Sequence, residues 1–514
     1  MNRTTLSLIA AATALAAVTG FAVVSTPDGG TTEAAADATT PGRMPVERSS
    51  LLCPAPSASD LAETAYTSFT PAGKGDADAK AGSAELVPTD ATLAAPDDGG
   101  KDKEKKEKDA GKPGESKPVI SLKEPGKPVT AEANTAEAPA LVGSADGRLA
   151  PGWAAQQTTK VTAGQGRGVL GVSCTAPDTN FWFPGASTAD ERQDYVHLTN
   201  PDDTAAVADI ELYGKDGAIE SDSGEGITVP ARSSVPVLLS TLSADSAENV
   251  SVHVTTRTGR VGAVVQAVDE EAGSDWLAAS AEASGSAVLP GIPADATSVR
   301  LVVFAPGDDD ADLKVRLASP TGSITPAGHE TLHVKAGMTA AVDLKDVTKG
   351  EAGSLLLSPA AQGRPTPVVA ALRVVRGKGA AQEVAYIPAT GQVGERATVA
   401  DNRAKGSVLS LTAPGAAAEV KVTASAGSGG GEPVVKTYKV KAGTTLAVKA
   451  PVPSGLKGSY ALTVEPQSGG PVHASRALEL PEDGIPMFTV QTMPDDRGMV
   501  SVPEAEQDLS VLDD

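Results

Sequence analysis

Short strand-and-turn segments recur along this chain at intervals near 100 residues. That period constrains the fold more than any other feature. Phe183-Pro184-Gly185, Leu289-Pro290-Gly291 and Ile387-Pro388-Ala389 stand 106 and 98 residues apart, and Pro494 follows 106 later. Inside each unit a strand runs into a turn: Tyr195 to Pro201, Leu301 to Pro306, and Val408 to Pro414. A second shared element carries Val229, Val334 and Val440, spaced 105 and 106 apart, and in the last two cases enters Lys-Ala-Gly. A unit this long, built of alternating runs with frequent turn residues, predicts an immunoglobulin-like β-sandwich.

The 53 Gly and 38 Pro favour many short elements over long helices. The expected fold class is therefore all-β: tandem immunoglobulin-like sandwiches over 184–289, 290–387 and 388–494. An irregular β region over 46–183 precedes them, and an acidic tail over 495–514 follows. Within 46–183, residues 74–117 include the run Lys101-Asp102-Lys103-Glu104-Lys105-Lys106-Glu107-Lys108. Mixed charge without apolar periodicity predicts a disordered insert there.

The N-terminus reads as an export segment. One positive charge, Arg3, precedes the apolar run Leu6 to Val24, expected to be helical, with a linker over 26–45. At 19 residues the run is long for a cleaved signal and near the length of a membrane anchor, so residues 1–25 fit either reading. The remainder is then extracytoplasmic, secreted or anchored through residues 6–24. Two cysteines in an exported chain point to one disulfide, Cys53–Cys174; two unpaired cysteines are the alternative. The formal net charge of −22 argues against a nucleic-acid partner.

A positively flanked apolar segment, the Leu51-Leu52-Cys53-Pro54 element, a charged insert and three such repeats together resemble an actinobacterial family of exported proteins. That family is catalogued as domain of unknown function 5719. The resemblance implies an envelope or secreted location and, because members are encoded near glycosyltransferases, a connection with surface glycans. It supplies no activity and no site residues.

One motif carries sharp chemistry. His329-Glu330-Thr331-Leu332-His333 matches H-E-x-x-H, which on a helix places two imidazoles one turn apart for zinc, with Glu330 as base and Glu351 as a conceivable third ligand. The repeat register instead assigns this stretch to a strand, where residues four apart are about 13 Å apart. The acidic loop Gly307 to Asp312 lacks the glycine of a calcium loop at its sixth place. Ser454-Gly455-Leu456-Lys457 has no partner motif for a serine hydrolase. Trp182 and Trp276 are candidate sugar platforms, with core packing as the plainer role for Phe181-Trp182-Phe183. No catalytic, cofactor or metal residues are assigned. The expected function is a non-catalytic envelope spacer or interaction scaffold, with envelope proteins or surface glycans as partners. A glycan-binding module and a zinc hydrolase are the alternatives.

Overall fold

The computed structural model describes residues 42–73, 80–92, 117–164, 166–221 and 223–502. The apolar run Leu6 to Val24, most of the linker and the run Lys101 to Lys108 lie outside these residues. Among the described residues no helix is long and apolar enough to cross a membrane. The chain divides into a larger unit, Pro45–Val500, and a smaller one containing the chain ends. Gly42–Pro45 and Met499–Val502 pair as a two-stranded sheet, so the linker and the tail both carry ordered residues where none were expected. All that follows concerns the larger unit.

Alternation of side chains sets the strands. Ala311–Ala318 buries Ala311, Leu313, Val315 and Leu317 while Asp312, Lys314 and Arg316 face outward. Ala418–Ala424 alternates in the same way. Val369–Arg376 is apolar on both faces because it is a central strand covered on both sides.

Eight strands of repeat 1 form two antiparallel sheets. In chain order they are Asn180–Ala186, Arg192–Thr199, Ala206–Gly214, Ile227–Val229, Ser233–Leu238, Val250–Thr258, Gly262–Asp269 and Gly273–Leu277. One sheet runs first–sixth–third–fourth and the other fifth–second–seventh–eighth. Repeat 2, from Ala287–Ile292 to Glu383–Pro388, and repeat 3, from Ala397–Asn402 to Phe488–Met493, have the same order. So does the N-terminal region, from Arg48–Cys53 to Gly168–Ser173. It is a fourth copy of one module, not an irregular region. Each module has an apolar core, and those of repeats 1 and 2 run on into the following module through Tyr386 and Phe488.

The register repeats residue by residue. Val229, Val334 and Val440 end the fourth strands and pair with Ala206, Ala311 and Ala418, while Leu122 pairs with Ala84 in the N-terminal module. The turn that follows holds one left-handed residue in every copy: Gly126, Arg232, Gly337 and Gly443. Its amide donates to the carbonyl of Thr70, Asp202, Ala305 or Ala413 at 2.7–3.0 Å. Glycine fits three of the four because it takes positive φ without a Cβ penalty.

Three expected boundaries are corrected. Pro184 and Pro290 lie inside first strands, at bulges where proline's missing N–H costs no ladder bond. Pro388 closes the eighth strand of repeat 2, so the break with repeat 3 falls between Pro388 and Ala397. The proline series thus mixed first and eighth strands, and repeat 3 places its first-strand bulge between Val399 and Asn402. Within the expected insert 74–117, Ala84–Pro88 is the third strand of the N-terminal module, with Ala84 and Leu86 buried. Ala91–Thr92 pairs in parallel with Ser233–Leu238 of repeat 1. That apolar alternation is too short to stand out in a charged surrounding.

The four modules follow one another around a closed ring. Each eighth strand touches the next, and Phe488–Met493 of repeat 3 returns to Gly168–Ser173 of the N-terminal module. First strands lie against seventh strands of the following module: Asn180–Ala186 on Val369–Arg376, Ala287–Ile292 on His473–Glu479, and Ala397–Asn402 on Ala154–Val161. Small apolar cores seal the joints. Ala62, Val161, Leu170 and Val172 meet Val264 and Trp276 of repeat 1, and Phe69 meets Ala400 and Ala461 of repeat 3.

Candidate functional site

Two places concentrate polar chemistry: the buried centre of the ring and an open groove between repeats 2 and 3. At the centre the four eighth strands exchange hydrogen bonds. The Gly171 amide donates to Asp275 Oδ1 at 3.0 Å, and Thr489 Oγ1 donates to the same carboxyl at 2.9 Å. The Val169 amide donates to Glu383 Oε1 at 3.0 Å. Beside this set, Arg476 donates to Gln156 Oε1 at 3.1 Å, which also accepts from the Asp401 amide at 2.7 Å. Thr158 Oγ1 donates to Asp401 Oδ2 at 2.8 Å, and Arg403 pairs with Asp401.

Burial governs the electrostatics here. It pushes Glu383 up to about 8 against the pull of Arg167 and Arg376, and holds Asp275 well above the carboxylate range. It lowers Arg476 to about 10 despite Asp401. Asp275 and Glu383 have no exposed surface. Perturbed carboxyls often mark active sites, but these are closed off and their hydrogen bonds join modules. Their chemistry is that of a joint.

The groove encloses about 1080 Å³. One wall is the outer face of Ala311–Ala318, where Lys314 stands across from Thr331 and Ser358 and Arg316 across from Leu356. The chain through Ser280 and Ser284, which links repeats 1 and 2, forms another, and Thr390, Gln392 and His473 a third. Arg497 reaches it from beyond the last strand of repeat 3. His473 Nδ1 donates to the Thr390 carbonyl at 3.0 Å, and burial lowers its pKa from 6.5, so the ring is neutral near pH 7. Lys314, Arg316 and Arg497 are exposed, and none of the three side chains has an ion-pair partner among the described residues. Glu282 is the one acidic residue in the lining. Fixed positive charge and hydroxyl groups suit this groove to an anion.

The residues singled out by sequence fall elsewhere. Cys53 and Cys174 form a disulfide with their Cα atoms 4.5 Å apart. It joins the end of the first strand of the N-terminal module to the residue after its eighth. It therefore ties the two sheets of one module together and does not tie that region to repeat 1. His329 and Glu330 lie in the connection before Thr331–Val334, the edge strand that contains His333. His333 Nδ1 lies 2.8 Å from Asp312 and Nε2 3.4 Å from Asp310. Asp310 also accepts from the Ala336 amide, so the acidic loop braces the turn after that strand. Among the described residues no three His, Cys, Asp or Glu side chains are arranged to hold a metal. Ser454–Lys457 is a short strand pairing with Gly430–Glu432.

The tryptophans are occupied. Trp276 is buried at the joint between the N-terminal module and repeat 1. Trp182 is half-buried and stacks on His253, ring centroids 3.7 Å apart, with Phe304 of repeat 2 at 5.0 Å. Neither presents a bare platform. Sequence reasoning missed both the central carboxyls and the groove cations. The outward alternation of Lys314 and Arg316 was legible, but the residues that face them, Thr390, Gln392, His473 and Arg497, lie far along the chain in other segments.

No curated protein matches the chain. A family model described as a family of unknown function (DUF5719) matches residues 129–451, from the fifth strand of the N-terminal module to the region after the fifth strand of repeat 3. With more than half its length matched, the chain belongs to the DUF5719 family.

Proposed function

We propose that the protein is a non-catalytic, extracytoplasmic scaffold of the cell envelope, built from immunoglobulin-like β-sandwich modules closed into a rigid ring. The observation that carries this reading is the use made of buried ionisable groups. Asp275, Glu383, Arg476 and Asp401 are all spent on joints between modules. A ring with polar joints fixes the relative position of four surfaces, which is what a spacer or docking frame requires. The Cys53–Cys174 disulfide supports an oxidising location.

The test is protease accessibility in intact cells combined with activity screening of the purified chain. The reading expects Pro45–Val500 outside the membrane and no peptidase activity that depends on His329 or His333. A chain protected until lysis, or a peptidase abolished by His333→Ala, would overturn it.

A further inference from the structure

We infer that the groove between repeats 2 and 3 is a binding site for an anionic glycan, a hydroxyl-rich polymer bearing carboxylate or phosphate groups. The inference goes beyond the scaffold reading and stands on the groove alone, so it holds whether or not the chain is exported.

Charge gives the first argument. The chain has a formal net charge of −22, and most of its arginines near acidic residues are engaged: Arg257 with Asp209 and Glu225, Arg260 with Asp202, Arg396 with Asp496. Among the described residues Lys314, Arg316 and Arg497 have no such ion pair and are brought together in the lining of one cavity. Lys314 and Arg316 are two residues apart on one strand face, which spaces them about 7 Å along it. Cations spaced along a strand, with another across the groove, meet charges repeated along a polymer better than one isolated anion.

Size and lining give the second. A volume of about 1080 Å³ exceeds the roughly 300–1,000 Å³ of ordinary small-molecule pockets. Small hydroxyl side chains such as Ser284, Ser358 and Thr390 alternate with Ala287, Val288 and Val368. That mixture offers hydrogen bonds to sugar hydroxyls and apolar contact to their C–H faces. The lining holds no Trp, Tyr or Phe, so affinity for a neutral sugar by ring stacking is not expected.

The experiment is calorimetric titration of the full chain with four polymers of matched length: polygalacturonate, dextran phosphate, unmodified dextran and polyglutamate. The expected result is binding of polygalacturonate or dextran phosphate, whichever carries the right anion, with dextran and polyglutamate at least tenfold weaker. Lys314→Ala/Arg316→Ala should weaken that binding roughly tenfold, as loss of two exposed charge contacts would. Arg497→Ala should weaken it by a smaller factor. All three side chains are exposed, so the variants should keep the parent melting temperature. Binding of neither charged glycan, or binding unchanged in the double variant, would overturn the site. Equal binding of polyglutamate would overturn the glycan assignment in favour of an acidic peptide. None of these outcomes bears on export or on peptidase activity, so this inference and the scaffold reading fail separately.

Discussion

Glu383→Gln should change the pH dependence of stability in a direction fixed by the ring's centre. Glu383 has no exposed surface, and its Oε1 accepts from the Val169 amide. Arg167 stands 3.8 Å from its Oε2, Arg376 and Asp275 lie nearby, and burial still carries the carboxyl from 4.5 to about 8. The folded chain therefore holds this proton more tightly than the unfolded chain. A raised carboxyl contributes stability that is fully present below its ordinary value and is lost as pH rises through about 8. Each tenfold change in proton affinity is worth about 1.4 kcal/mol, so the whole contribution is roughly 5 kcal/mol. Glutamine keeps an acceptor for Val169 and fixes the neutral form. The variant should match the parent near pH 5 and exceed it by several kcal/mol near pH 9. Urea unfolding followed by tryptophan fluorescence at both values measures this. Parallel pH profiles for parent and variant would refute the placement of a protonated carboxyl at the joint.

Other perturbations probe neighbouring parts of the structure. Gly171→Ala would bring a Cβ 2.5 Å from Thr489 Cγ2 and closer still to Gln491 Nε2. It should destabilise the chain by about 1–3 kcal/mol in thermal unfolding. Cys53→Ser with Cys174→Ser removes a bridge across 121 residues and should cost about 2–5 kcal/mol, read as a lowered urea midpoint. His333→Ala loses exposed contacts with Asp310 and Asp312, and should change stability by less than about 1 kcal/mol in the same assay.

What the sequence disclosed followed from local pattern. The second and fourth strands were legible because alternation and turn residues recur in them, and Val229, Val334 and Val440 hold the same register. The expectation of a strand over residues 329–333 came from that register against a tempting helical motif; the strand begins at Thr331 and leaves His329 and Glu330 in the connection before it. The N-terminal module was hidden because its third strand, Ala84–Pro88, lies between charged stretches and its fourth begins only at Ile120. The proline series misled because a strand-ending proline at Pro388 resembles a bulge proline at Pro290. Ring closure left no local trace. Gln156 meets Arg476 across 320 positions, and the polar residues that make the joint read individually as ordinary surface residues. For the same reason the groove could not be assembled from Lys314 and Arg316 alone.

Closure of the ring is tested most directly by zero-length carbodiimide cross-linking of the purified chain, read by mass spectrometry. Lys160 Nζ of the N-terminal module lies 2.6 Å from Glu482 Oε2 of repeat 3, although 322 residues separate them. Lys421 and Glu465, 2.8 Å apart within repeat 3, serve as the internal standard. The ring predicts a Lys160–Glu482 cross-link within monomeric chain, in yield comparable to the Lys421–Glu465 link. Formation of the standard without the Lys160–Glu482 link would show four modules in an open string and contradict the account.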